Sequence, residues 1–189
     1  MAAVLGMDRE ALRKVTDEVT AGGELVQLAN LNCPGQIAIS GTAQGVEKAG
    51  KLAKENGARR VIPLEVSGPF HSDLMKPAAD KLEQAWQTIE IQDASIPVIA
   101  NVSAKEETEA NDIREKLIEQ IYSPVLWEDS VRRLLDLGVD TFVEIGSGTV
   151  LSGLVKKVNR RVTTLAVSDE NSLQKTIATL KGDASHVNE

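Results

Sequence analysis

The sequence predicts an α/β protein, on two observations. The first third orders its elements as strand, helix, strand, strand, helix, strand, the split arrangement of a ferredoxin-like (βαββαβ) fold. The remainder alternates helix and strand, the pattern of a mainly parallel sheet with helices on its faces. A third observation bounds the core. The 189 residues include only five aromatics, so Val, Ile, Leu and Ala must fill the interior.

The elements follow from local pattern. Ala2–Leu5 is a short apolar run and a strand. Asp8 precedes a helix with Leu12, Val15 and Val19 on one face, and Gly22-Gly23 stops it. Leu25, Val26 and Leu28 give residues 24–29 strand character. Asn30-Leu31-Asn32-Cys33-Pro34-Gly35 is dense in turn formers and reads as a loop. Ile37 and Ile39 alternate in a strand over 36–40. Thr42 can cap a helix carrying Val46, Ala49, Leu52 and Ala53, closed by Asn56-Gly57. Residues 58–66 hold a further strand. Ser67-Gly68-Pro69 breaks the pattern and sets a boundary between 1–66 and 67–189. Beyond it the periodicity predicts helices over 72–88, 111–121, 127–137, 148–159 and 170–181, and strands over 96–100, 140–145 and 161–167. Three strands are too few to bury so many helices, which implies that strands of this sheet lie outside the sequence. The tail, 182–189, reads as frayed.

Composition excludes several function classes. Net charge is −7; residues 1–66 hold eight basic and eight acidic side chains, residues 67–189 hold 13 and 20. A nucleic-acid partner needs a positive field that this chain lacks. No apolar run approaches the ~18 residues of a membrane span, and Met1–Lys14 lacks the pattern of a secretory signal. A single cysteine, Cys33, can form no internal disulfide, which fits a reducing cytoplasm. With two histidines and one cysteine, no metal site is expected.

Few residues can carry chemistry. His186 lies in the polar tail and reads as solvated. His71 sits between the 58–66 strand and the next helix, where α/β proteins place catalytic groups. Imidazole can accept and return a proton near neutrality; the alternative is a histidine that only caps a helix. No serine has glycine at both −2 and +2, so the strained nucleophile elbow of serine hydrolases is missing. Glu144-Ile145-Gly146-Ser147-Gly148 ends a strand at a helix start, where free N–H groups can bind an anion, or simply form a tight turn. Lys156, Lys157, Arg160 and Arg161 form the one basic cluster. They either complement a helix C-terminus or dock an acidic partner.

Five ordered motifs then carry a resemblance: Met1-Ala2-Ala3-Val4-Leu5-Gly6; Asn30-Leu31-Asn32-Cys33-Pro34-Gly35-Gln36-Ile37; Gly68-Pro69-Phe70-His71-Ser72 with Leu74-Met75-Lys76-Pro77; Gln120-Ile121-Tyr122-Ser123-Pro124-Val125-Leu126-Trp127; and Glu144-Ile145-Gly146-Ser147-Gly148. In this order and spacing the chain resembles malonyl-CoA:acyl carrier protein transacylases from residue 1 to about 180. The resemblance implies a ferredoxin-like small subdomain over 1–66 and, over 67–189, part of a larger α/β-hydrolase-like subdomain. It implies transfer of malonyl from coenzyme A to the phosphopantetheine thiol of acyl carrier protein through a malonyl-serine, without a cofactor. His71 would be the general base and acid, oriented by the Gln120 backbone carbonyl in place of a triad aspartate. Asn30 and Asn32 would face the acyl site or cap their own turn, and Phe70 would favour malonyl over methylmalonyl. Lys156, Lys157, Arg160 and Arg161 remain the expected carrier-protein contact.

The chain also departs from the family. The serine elbow, the arginine for the malonyl carboxylate and the early Gly-Gln segment find no match, and Ser147 stands where proline is frequent. The sequence therefore looks like the C-terminal ~60% of such an enzyme, with little or no activity alone. The alternative is a non-catalytic module that binds acyl carrier protein.

Overall fold

In a computed structural model, residues 1–182 are described. The frayed-tail expectation, apart from Gly182, and His186 fall outside them. The chain is mixed α/β and divides into two compact units, Met1–Arg133 and Leu134–Glu189, the boundary lying inside a helix well past Ser67-Gly68-Pro69.

The first unit begins with β1 (Ala2–Leu5), α1 (Arg9–Ala21), β2 (Val26–Cys33), β3 (Gln36–Gly41), α2 (Ala43–Glu55) and β4 (Arg60–Pro63). The strands form one antiparallel sheet in the order β2-β3-β1-β4. Alternation decides which face is buried. Ala2 and Val4 of β1 oppose Ile39 and Ile37 of β3, and all four join a core with Val26 and Leu28 of β2, Leu12 and Val15 of α1, and Ala49 and Ala53 of α2. Side chains as small as Ala49 and Ala53, both fully buried, let α2 approach the sheet closely. Both helix starts are capped as their sequences predict: Ala11 N–H donates to the Asp8 carboxylate and Gly45 N–H to the Thr42 hydroxyl, each at 2.9 Å. Gly41 has no room for a side chain, since a Cβ there would stand 2.1 Å from the Leu25 carbonyl oxygen.

One expectation is corrected here. Residues 30–35 are not a loop: β2 continues through Cys33, and only Pro34-Gly35 turn, with Gly35 at φ 72°. A bulge at Ala29 lets the strand continue, because it restores the inward phase at Leu31 after Val26 and Leu28. Asn30 and Asn32 are therefore strand residues, half-buried opposite the core face.

Past β4, a short 3₁₀ turn (Asp73–Met75) leads into α3 (Lys76–Trp86), with Pro77 in its first turn. The strand expected over 96–100 is cut to β5 (Val98–Ile99), and it pairs antiparallel with an unanticipated β6 (Glu106–Glu107). The cause is local. Ala104 N–H donates to the Ala100 carbonyl and Ala104 takes φ 52°, so the chain reverses far too quickly for a parallel crossover. Next come α4 (Ala110–Glu119) and α5 (Trp127–Asp136), which crosses into the second unit. Between these helices Val125 pairs with the β2 edge: Leu31 N–H donates to its carbonyl, and its own N–H to Ala29, both at 2.8 Å.

The second unit holds β7 (Thr141–Ile145), α6 (Val150–Val158), β8 (Thr163–Val167) and α7 (Glu170–Leu180). β7 and β8 run parallel, as the strand–helix–strand order predicts.

Candidate functional site

His71 lies in the first unit, on the turn that follows β4. Its backbone is left-handed (φ 58°), a region sparsely used by non-glycine residues. Three bonds hold that turn. The His71 N–H donates to the Ile121 carbonyl at 3.3 Å, the buried Ser72 hydroxyl to the Pro69 carbonyl at 2.6 Å, and the Asp73 N–H to the Gln27 side-chain oxygen at 2.8 Å. Gln27 also donates to the Asp73 carboxylate at 3.3 Å, which ties the turn to β2.

The imidazole Nδ1 sits 2.8 Å from the Gln120 carbonyl oxygen. A carbonyl only accepts, so Nδ1 carries the hydrogen and the neutral ring keeps a free lone pair on Nε2. The carbonyl is available for a physical reason. Gln120 ends α4, where carbonyls lack helical donors. Its i+4 residue is Pro124, which has no N–H to offer.

A cavity of about 400 Å³ opens beside the ring, lined by Gln27, Leu31, Tyr122, Leu126, Arg9 and Arg13 among others. Arg9 is neutralised by Asp129 at 2.8 Å. Lys76 pairs with Asp73 at 2.9 Å and stands 5.7 Å from the centre of the Tyr122 ring. Together these groups place an imidazole, fixed through Nδ1, at the wall of a solvent-open cleft lined by both polar and apolar side chains.

The other expected residues divide. Gln120 joins His71 directly. Asn30, Asn32 and Phe70 do not line this cavity; the Phe70 ring, 38% exposed, lies beside Gly68. Gln27, Tyr122 and Asn101 were not anticipated. Gln27 bonds the 70–75 turn, Tyr122 lines the cavity and Asn101 bonds the Gln120 side chain, and the Gln27 and Asn101 contacts join residues too far apart in sequence for a local pattern to show.

In the second unit the 146–148 turn has no empty anion site. The Glu144 carboxylate already accepts from the N–H groups of Leu151 (3.1 Å) and Ser152 (2.7 Å) at the start of α6. Bonds from the Ser152 hydroxyl and N–H, and from Leu151, hold Glu144 below the usual carboxylate range. The basic cluster is likewise partly used internally. Half-buried Lys156 donates to the carbonyls of Val162 and Arg160, whereas Arg160 and Arg161 are exposed. Among the described residues no group of three or more His, Cys, Asp or Glu is placed to hold a metal, and no helix is long and apolar enough to cross a membrane.

The acyl transferase domain family matches residues 1–186, and the chain belongs to that family. It is 67% identical over 181 residues to the malonyl CoA-acyl carrier protein transacylase of Bacillus subtilis (strain 168), covering 96% of this chain and 57% of that protein. The crystal structure of the Clostridium perfringens malonyl CoA-acyl carrier protein transacylase superposes with a TM-score of 0.91 at 41% identity, covering 97% of this chain and 58% of that one. A malonyl-transacylase solved in complex with its type II PKS acyl-carrier protein gives 0.89 at 41% identity, covering 96% and 57%. The chain thus spans just over half the length of these relatives.

Proposed function

We propose that this chain carries the acid–base half of a cytoplasmic malonyl-CoA:acyl carrier protein transacylase of fatty acid biosynthesis. The single observation that supports the reading most is the 2.8 Å bond from His71 Nδ1 to the Gln120 carbonyl. It leaves Nε2 free to take a proton, as a base in nucleophilic catalysis must.

The reaction runs in two halves. Nε2 removes the proton from a serine hydroxyl as its oxygen attacks the malonyl thioester. The tetrahedral intermediate collapses, coenzyme A leaves, and the imidazolium returns the proton to its sulfur. The phosphopantetheine thiol of acyl carrier protein then gives its proton to Nε2 and attacks the malonyl-serine ester. The serine oxygen leaves and is reprotonated by the same ring. The Gln120 carbonyl, a neutral acceptor, takes the orienting place that a carboxylate holds in a Ser-His-Asp triad. Malonyl-CoA and the carrier protein are the substrates, and no cofactor is required.

The nucleophilic serine and the carboxylate-binding arginine have no counterparts in these 189 residues, so transfer needs them from other polypeptide. We read residues 1–66 as the ferredoxin-like subdomain and residues 67–189 as part of the α/β-hydrolase-like one. The order β2-β3-β1-β4 supports the first assignment. For Asn30, Asn32 and Phe70, which do not line the His71 cavity, a part in shaping the acyl site rests on the family's motifs alone. The carrier-protein contact of Lys156, Lys157, Arg160 and Arg161, of which Lys156 is already bonded within the chain, rests on their charge alone.

The test is transfer of radiolabelled malonyl from malonyl-CoA to carrier protein. The chain alone should give none. The chain joined behind the N-terminal portion of the B. subtilis relative should transfer. Failure of the joined protein to transfer would refute the reading.

A further inference from the structure

We propose that Pro124 and Asn101 are positioning residues that reserve the Gln120 carbonyl for His71; the proposal rests on the acid–base reading of that histidine. In a continuing α-helix the N–H of residue 124 would donate to the carbonyl of residue 120. Around this position the neighbouring carbonyls are engaged in that way. Gln120 N–H donates to Lys116 at 3.0 Å, Ser123 N–H to Glu119 at 3.1 Å, and Tyr122 N–H also reaches Glu119 at 3.2 Å. The next donor in the series is missing because residue 124 is proline. Proline also drives Ser123 out of helical conformation, which turns the chain toward the β2 edge where Val125 pairs. One residue thus ends the helix and leaves a carbonyl without a helical donor.

A free carbonyl still has to be aimed. Gln120 holds helical dihedrals (φ −61°, ψ −19°) one residue past the helix, and the last helical bond after it, from Ser123 N–H, goes to Glu119 and not to Gln120. Its side chain is anchored instead: Asn101 Nδ2 donates to Gln120 Oε1 at 2.9 Å. Asn101 is itself fixed through its carbonyl, which accepts from Leu126 N–H at 2.8 Å, just past Pro124. The two amides share a small cavity of about 130 Å³ with Ile99, Ile113 and Leu117, and with Glu107 and Lys116, which are engaged elsewhere by Ser103 and Glu119. Asn101 thus holds the Gln120 side chain through its amide and the segment past Pro124 through its carbonyl, and the Gln120 carbonyl points at Nδ1.

The experiment reads the ring directly. The chain has only His71 and His186, so [15N]histidine labelling with His186→Gln in the background leaves one imidazole to follow. Ring-nitrogen shifts of the neutral form distinguish Nδ1–H from Nε2–H. The unsubstituted sequence should show mainly Nδ1–H. Pro124→Ala supplies a competing N–H, and Asn101→Leu removes the anchor at similar volume; each should move the ring towards Nε2–H while the amide spectrum stays folded. Asn101→Asp should keep Nδ1–H, because Gln120 can turn its amide over and donate to the carboxylate. This pair decides the matter even if Pro124→Ala fails to fold. Unchanged ring signals in Asn101→Leu, or an equal change in Asn101→Asp, would overturn the proposal. Failure of the joined protein to transfer malonyl, with these ring signals as expected in the chain, would instead overturn only the functional reading.

Discussion

At the scale of the residue, one strained backbone position organises the site. His71 adopts φ 58°, and such a conformation costs on the order of 1–3 kcal/mol unless its surroundings impose it. Gln27 imposes it from β2 by holding both the N–H and the carboxylate of Asp73. Replacing Gln27 with Leu removes both bonds, leaves the Asp73 N–H without its partner, and should lower stability by about 1–3 kcal/mol. In the joined protein, Gln27→Leu should also lower kcat more than it raises KM, because it misplaces the base rather than the substrate. Denaturation midpoints and steady-state kinetics measure both. A variant as stable and as active as the parent would show that the turn holds itself.

At the scale of the element, helix starts carry the clearest energetics. Thr42 accepts from Gly45 N–H and donates to Glu24 at 2.9 Å, so Thr42→Ala should destabilise by about 1 kcal/mol in urea melts. Leu12, 0% exposed in the core between α1 and the sheet, should cost about 2–5 kcal/mol as Leu12→Ala. Glu144 makes a pH prediction. Its folded carboxyl is held low by Ser152 and Leu151, so its stabilising effect is complete above the unfolded value, roughly pH 4.3. That effect is lost as pH falls through the lower folded value. Glu144→Gln should flatten acid unfolding of the second unit in that range; an unchanged profile would show that the bonds to α6 contribute nothing. Such elements also reveal what the sequence makes legible. Asp8, Thr42 and the 3.6-residue spacing of Leu12 and Val15 placed α1 and α2, because caps and amphipathic faces are local. Asn30 to Gly35 looked like a loop because a bulged strand has the composition of a turn. β6 was invisible because two glutamates have no strand character until Val98 and Ile99 lie opposite. His71 was legible from its place after a strand. Its bond to Gln120, 49 residues away, was legible only through the family's motifs.

At the scale of the whole molecule, the apolar surface is the main liability. In the second unit Ile145 is 81% exposed and Val150 71%; in the first, Ile96 is 76% exposed, and Ile62, Leu64 and Val66 follow a period of two along and beyond the free edge of β4. The isolated chain should self-associate as its concentration rises, read by light scattering, and Ile145→Thr with Ile62→Thr should reduce that association. A strictly monomeric, sharply melting chain would contradict this. The charge distribution has a matching consequence: Arg160→Glu with Arg161→Glu should weaken carrier-protein binding by the joined protein and reduce its salt dependence. The central claim, however, is that His71 moves the proton in malonyl transfer, and one comparison tests it most directly. The joined protein is assayed for radiolabelled malonyl transfer with and without His71→Ala, folding being checked by its melt. The account predicts a loss of roughly 10²–10⁴-fold in kcat, and transfer at the parental rate by the folded variant would contradict it.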